Sequence, residues 1–238
     1  MNDPNESDFF LNSIGNAFLK YQEKYSLADK SAYFATTFSI WDQLKGDKYV
    51  LSLSEDSDSL TMWRAYGNDG RGVAIGINTE KLFQFITSHS DLYFLKVKYM
   101  DTLSHMQSFA EDDLEKIYND IEIRDDGSVS SGWDIFSELY ETSYLSYKNK
   151  AYNAENEWRV VLIKGGGCKY RESNGLIIPY CELEIPIELV EDIMIGPTAN
   201  KELSKCTLEN MIFNKINSHK KFTKKISVIN SNIPYRKR

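Results

Sequence analysis

The chain is poor in the residues that anchor the commonest catalytic and metal-binding devices. Across 238 residues it has three cysteines, three histidines and five prolines. Cys168, Cys181 and Cys206 are odd in number and scattered, which argues against a disulfide framework and fits a reducing, cytoplasmic setting. Neither they nor His89, His105 and His219 show metal-ligand spacing, so no metal site is expected. No apolar run reaches transmembrane length, and the acidic start Met1–Glu6 lacks the basic and apolar regions of a signal peptide; no membrane partner is expected. Gly165-Gly166-Gly167 is not followed by Lys-Ser/Thr, no Gly-x-Gly-x-x-Gly opens a helix, and no Gly-x-Ser-x-Gly elbow occurs. Phosphate-loop, dinucleotide-fold and serine-hydrolase readings therefore fall away.

What the chain has is apolar and aromatic content, 42% and 13%, enough for a sizeable core. With no Pro/Ser-rich linker, residues 1–238 read as a single domain. The net charge of −7 is uneven. Residues 201–238 hold ten Lys/Arg against Glu202 and Glu209, leaving about −15 on the first 200. The strip Lys220, Lys221, Lys224, Lys225, Arg236, Lys237 and Arg238 is either a solvated face or a phosphate-backbone contact, which keeps nucleic acid as a possible partner.

Hydrophobic periodicity predicts helices over 7–26, 29–43, 79–88, 101–120, 132–150 and 198–218. A shorter one, N-capped by Ser57, runs through Trp63, Arg64 and Ala65. Strands are predicted over 49–54, 72–77, 93–99, 154–163, 168–171, 176–183, 192–196 and 225–230, with a turn at Asn68-Asp69-Gly70. Roughly eight strands and six or seven helices without regular alternation read as α+β, built on mixed or antiparallel central sheets. Gly72, Ala74 and Gly76 form one bare strand face, open to a ligand or to a packed helix.

The stretch Glu155-Asn156-Glu157-Trp158-Arg159 concentrates the interest. Period-two alternation puts Glu155, Glu157 and Arg159 on one strand face. Charges entering a sheet interior must be paired, hydrogen-bonded or used. They form either a structural ion pair or one wall of a site, with Ser52, Ser54 and the Trp63-Arg64-x-Tyr66-Gly67 corner as candidate neighbours.

Several short motifs resemble the bacterial domain-of-unknown-function 2971 family: Ser52-Leu53-Ser54-Glu55, Trp63-Arg64-Ala65-Tyr66-Gly67, Gly70-x-Gly72-x-Ala74-Ile75-Gly76, Glu155-x-Glu157-Trp158-Arg159, Ile195-Gly196-Pro197 and Ser231-x-Ile233-Pro234-Tyr235-Arg236. Asn2-Asp3-Pro4-x-Glu6 resembles an element that in the family follows a strand and helix, so that first strand is expected to be missing. Ser-x-Ser on one strand and Glu-x-Glu on another also resemble two strand motifs of ADP-ribosyltransferases. That second resemblance implies an ADP-ribosyltransferase-like fold and a transferase that uses NAD as substrate, with a role as toxin or antiphage effector. It makes Glu157 and Glu155 the catalytic pair. Ser52, Ser54, Trp63, Arg64, Tyr66, Arg71 and Arg159 become substrate-binding residues. The alternatives are a nucleotide or nucleic-acid binding module without turnover, and a structural partner in a defence system.

Overall fold

The computed structural model describes residues 47–100, 144–164, 167–173, 175–218 and 226–235. The expected helices over 7–26, 29–43 and 101–120, most of the one over 132–150, and the basic strip at 220–225 and 236–238 lie outside these residues. The chain divides into two compact units, neither continuous in sequence. Unit 1 is Met1–Leu53, Tyr93–Asn153 and Glu157–Gly167, and unit 2 is Ser54–Leu92, Ala154–Asn156 and Cys168–Arg238.

Unit 1 is organised on a strand of the type the alternation and apolar run predicted. β6 (Glu157–Lys164) lies between β1 (Asp47–Ser54) and β3 (Leu92–Lys96) in a three-stranded sheet. Val160, Val161 and Leu162 are at most 9% exposed, so both faces of this middle strand are covered. A second, parallel pair joins β4 (Lys98–Met100) to β5 (Tyr147–Asn149), with Lys98 opposite Tyr147 and Met100 opposite Asn149. Leu145, Tyr147, Val97 and Met100 are buried. Val97 separates β3 from β4 and donates its N–H to the Glu157 carbonyl at 2.9 Å. The single strand expected over 93–99 is thus two.

Two further expectations are corrected here. Residues 144–155 are not α-helical: a 3-10 turn (Tyr144–Ser146), β5 and a longer 3-10 segment (Lys150–Glu155) replace the end of the helix read over 132–150. Tyr147, inside the stretch expected to be helical, is buried as a strand residue. Asn156 then turns the backbone into the left-handed region at φ 43°, a conformation asparagine tolerates better than most residues. Glu155 therefore ends a 3-10 segment and is not on the strand with Glu157 and Arg159. Only Glu157 and Arg159 share a strand face.

Unit 2 contains the sheet β10–β9–β2, made of β2 (Val73–Ile77), β9 (Val190–Ile195) and β10 (Ser227–Asn230). β10 runs parallel to β9 and β2 antiparallel to it, with Ile193 opposite both Val228 and Ile75. Ile193, Ile195, Val228 and Ile226 form a core with Ile212 of α3 (Lys201–Ser218), joined by partly buried Leu208 and Ala199. α2 (Thr79–Thr87) is capped by the Asn78 side chain, which accepts the Lys81 N–H at 2.9 Å. Leu82 and Ile86, four residues apart, form its buried edge. The short α1 (Leu60–Ala65) starts after Ser59, not Ser57, and Ser59 makes no side-chain cap. β7 (Lys169–Ser173) and β8 (Leu176–Tyr180) form an antiparallel ribbon.

The described residues are therefore α+β, as expected. They hold ten short strands in four small sheets in place of a central sheet of roughly eight, with three α-helices and three 3-10 segments. None of the described helices is long and apolar enough to cross a membrane.

At its tightest point the bare face of β2 meets a side chain of the paired strand. A Cβ on Gly76 would collide with the Asp192 carboxylate on the paired strand. The Gly70-x-Gly72 and Gly196-Pro197 motifs have a similar packing origin. Asn68, Asp69 and Gly70 are consecutively left-handed, and the loop they form is zipped to the next by Gly196 N–H to Gly72 O at 3.0 Å and Thr198 N–H to Gly70 O at 2.9 Å. A Cβ on Gly196 would enter the carbonyl oxygens of Gly70 and Gly72. Since both obstacles are backbone, Gly196→Ala is expected to destabilise the protein by about 1–3 kcal/mol. Urea unfolding checks this, and an unchanged midpoint would contradict it.

Candidate functional site

Glu157 and Arg159 are two apart on β6 and share a face, so an ion pair between them is geometrically available within the strand. The structure forms it in fork fashion: Arg159 Nε donates to Oε1 at 2.9 Å and Nη2 to Oε2 at 3.2 Å. The guanidinium is locked further by Nη1 donating to the Leu145 carbonyl at 2.7 Å. Lys148 of β5 donates to Oε2 at 2.9 Å, and Ser52 of β1 donates to Oε1 at 2.5 Å. The Glu157 N–H is taken by the Tyr99 hydroxyl at 2.8 Å. The carboxylate is 4% exposed, while Ser52 is the exposed member of the group.

Removing a carboxylate from water costs several kcal/mol, which must be matched by donors. Burial pushes the Glu157 carboxyl upward. The hydrogen bonds from Arg159, Ser52 and Lys148 and the Arg159 charge outweigh it, so the group titrates below the 4.5 of a free glutamate. It is held as an anion. Lys148 also lies 5.0 Å from the Tyr152 ring centroid, a cation–π contact. On the other side of β6, Trp158 stacks on Phe94 with centroids 4.6 Å apart, and Lys96 sits 5.4 Å from the Trp158 ring.

The remaining expected site residues belong to unit 2 and form separate networks. Tyr66, half exposed, donates its hydroxyl to Glu155 Oε1 at 2.8 Å, and Ser54 Oγ donates to the Glu155 carbonyl at 2.8 Å. Trp63, 3% exposed, is a core residue whose indole N–H goes to Asp58 at 2.7 Å. The same carboxylate accepts from Ser231 Oγ at 2.7 Å and from the Asn232 N–H at 2.8 Å. Partial burial works against the charge on Asp58, but those three donors and nearby Lys201 keep its carboxyl below the 3.8 of a free aspartate. Arg64 is exposed and lies 5.4 Å from the Tyr235 ring, whose hydroxyl donates to Asp69 at 2.6 Å. Arg71 is exposed; its backbone N–H closes the turn onto Asn68.

Unit 1 thus brings together Ser52, Glu157 and Arg159, and unit 2 brings together Ser54, Tyr66 and Glu155. Sequence reasoning missed Lys148, Tyr99 and Asp58. Lys148 lies inside the stretch 132–150 expected to be helical, and the structure places it on β5. Among the described residues, no group of three or more His, Cys, Asp or Glu could hold a metal ion.

Arg159→Leu leaves a buried anion short of its main partner and is expected to cost about 3–5 kcal/mol. The acid dependence follows from the direction of the shifts. A carboxyl depressed in the folded chain contributes stability that is complete above its free value and is lost as pH falls through the folded one. Urea midpoints are therefore expected to be level down to about pH 4.5 and to fall below it, with a shallower acid limb in Glu157→Gln. An acid limb unchanged by that substitution would contradict the assignment.

Residues 62–160 match the family model described as Protein of unknown function (DUF2971). No curated protein and no solved structure matches the chain. The matched stretch includes Trp63, Arg64, Tyr66, Gly67, Gly70, Gly72, Glu155, Glu157 and Arg159, and it leaves out Ser52, Ser54, Gly196 and Ser231. Over those 62–160 residues the chain is similar to this family.

Proposed function

We propose that the protein is an ADP-ribosyltransferase-like enzyme that cleaves the nicotinamide–ribose bond of NAD, with Glu157 as its essential carboxylate. The observation that supports this reading is the 2.5 Å hydrogen bond from Ser52 on β1 to Glu157 on the neighbouring β6. It links the Ser-x-Ser strand to the glutamate in the manner the resemblance to those transferases implies.

The chemistry asks for a permanent anion. As the C–N bond breaks, its electron pair leaves with nicotinamide and positive charge develops on the ribose. A fixed carboxylate bonded to a ribose hydroxyl stabilises that charge and needs no reorganisation at the moment of reaction. Glu157 is charged and oriented by Arg159 and Lys148 before substrate arrives. Ser52 is the one of its three side-chain donors that is solvent-exposed, so a ribose hydroxyl would take over the Ser52 position on Oε1. The acceptor nucleophile then closes on the ribose carbon and releases its proton. A role as toxin or antiphage effector would follow from what the acceptor is.

A second reading is favoured by a specific observation: both oxygens of Glu157 are already occupied, each by two donors. The cluster would then be a structural ion group, and the protein a nucleotide-binding module without turnover.

Incubating the full chain with NAD and measuring free nicotinamide separates the two. The enzyme reading expects release by the wild type, a loss of about 100-fold or more in Glu157→Gln, and about 10-fold in Ser52→Ala. Equal release from wild type and Glu157→Gln, or none from a folded wild type, would overturn it. NAD binding without release would select the module.

A further inference from the structure

The β7–β8 ribbon carries a thiol pair that the functional site does not use. Its ladder pairs Lys169 with Tyr180, Tyr170 with Pro179, Arg171 with Ile178, Glu172 with Ile177 and Ser173 with Leu176. Cys168 immediately precedes Lys169 and Cys181 immediately follows Tyr180. Continued by one step, the register sets the two cysteines opposite each other at the base of the ribbon.

The parity of the ladder sharpens the geometry. A two-residue connection between Ser173 and Leu176 makes that closing pair a hydrogen-bonded one, and pairs alternate from there. Tyr170–Pro179 then falls on a non-hydrogen-bonded pair, the place where the missing N–H of Pro179 leaves no gap in the ladder. Cys168–Cys181 has the same parity. Such pairs hold their Cα atoms about 4.5 Å apart, inside the roughly 4.4–6.8 Å range of disulfides.

Both cysteines are reduced and half-buried. The face they share by alternation also carries Tyr170 and Ile177, 66% and 78% exposed, so a small oxidant can reach it. Among the described residues no third strand joins the ribbon, and a lone two-stranded hairpin is marginally stable.

We propose that Cys168 and Cys181 form a reversible dithiol–disulfide pair that staples the base of this ribbon. One thiolate attacks a small-molecule disulfide, forming a mixed disulfide and expelling one thiol. The second cysteine thiolate attacks the protein sulfur of that adduct and expels the other thiol. The protein loses two electrons and two protons, and the reagent is reduced to two thiols. A dithiol reductant reverses the exchange.

The test treats the full-length chain with oxidised glutathione, then counts reactive thiols after a denaturing acid quench and maps tryptic peptides without reduction. One intramolecular Cys168–Cys181 cross-linked peptide is expected, and because the exposed Cys206 itself takes a glutathione adduct, the thiol count is read in Cys206→Ser. Cys206→Ser should fall from two to none. Cys168→Ser and Cys181→Ser should stop at a stable glutathione adduct on the remaining partner. Cleavage after Arg171 in the folded protein should slow several-fold on oxidation and recover with dithiothreitol. Glutathione adducts on both cysteines without a cross-link, no thiol loss, a bond to Cys206 or to a second chain, or unchanged cleavage despite the cross-link would each overturn the proposal.

Discussion

A carboxylate sealed away from water is tolerable only when its oxygens are matched by donors, and Glu157 imposes that condition on unit 1. Arg159 is positioned by the pleat of β6 and by the Leu145 carbonyl. Lys148 requires β5 in its register beside β4, and Ser52 requires β1 beside β6. Each of these strands contributes one group to a single charge. Shift any register by one residue and the donor turns to the opposite face. The cluster is therefore as much a specification of strand order in unit 1 as a candidate for chemistry.

That dual character explains why the site was only partly legible in the sequence. Glu157 and Arg159 were readable because a two-residue spacing inside an apolar strand has one geometric meaning. Ser52 was readable for the same reason, from Ser-x-Ser alternation on β1. Glu155 was misassigned because the left-handed Asn156 breaks the alternation before the strand begins. Nothing in the spacing distinguishes that break from a continuing strand. Lys148 was lost to a different cause. The aromatic residues of 133–147 recur at helical steps, and the pairing of Tyr147–Asn149 with Lys98–Met100 is a long-range event to which local periodicity is blind.

The fold was legible at the level of class and of individual elements. α2 with its Asn78 cap, β1, β9 and α3 lie close to their expected bounds because caps and apolar steps are local signals. The grouping of strands into small sheets was not legible, since strand partners are chosen by tertiary packing. The short glycine motifs divide in the same way. Gly70, Gly72 and Gly196 answer to the backbone contact between two loops of unit 2, and Gly76 makes room for Asp192. The resemblance to a family thus rests on packing motifs and charge motifs together, and only the latter bear on chemistry. Two of the cysteines that look scattered along the chain, Cys168 and Cys181, flank Lys169 and Tyr180, the outermost pair of the ribbon ladder.

The central claim is that the contact between Ser52 and Glu157 serves reactivity beyond its contribution to folding. A double-mutant cycle over Ser52→Ala and Glu157→Gln, read in parallel as unfolding free energy and as nicotinamide release from NAD, tests it most directly. The account predicts strong non-additivity in the rate, with the double variant no slower than Glu157→Gln alone, and a coupling in stability of only about 0.5–1.5 kcal/mol. Additive effects on the rate, or coupling confined to stability, would contradict it and leave Glu157 a structural charge.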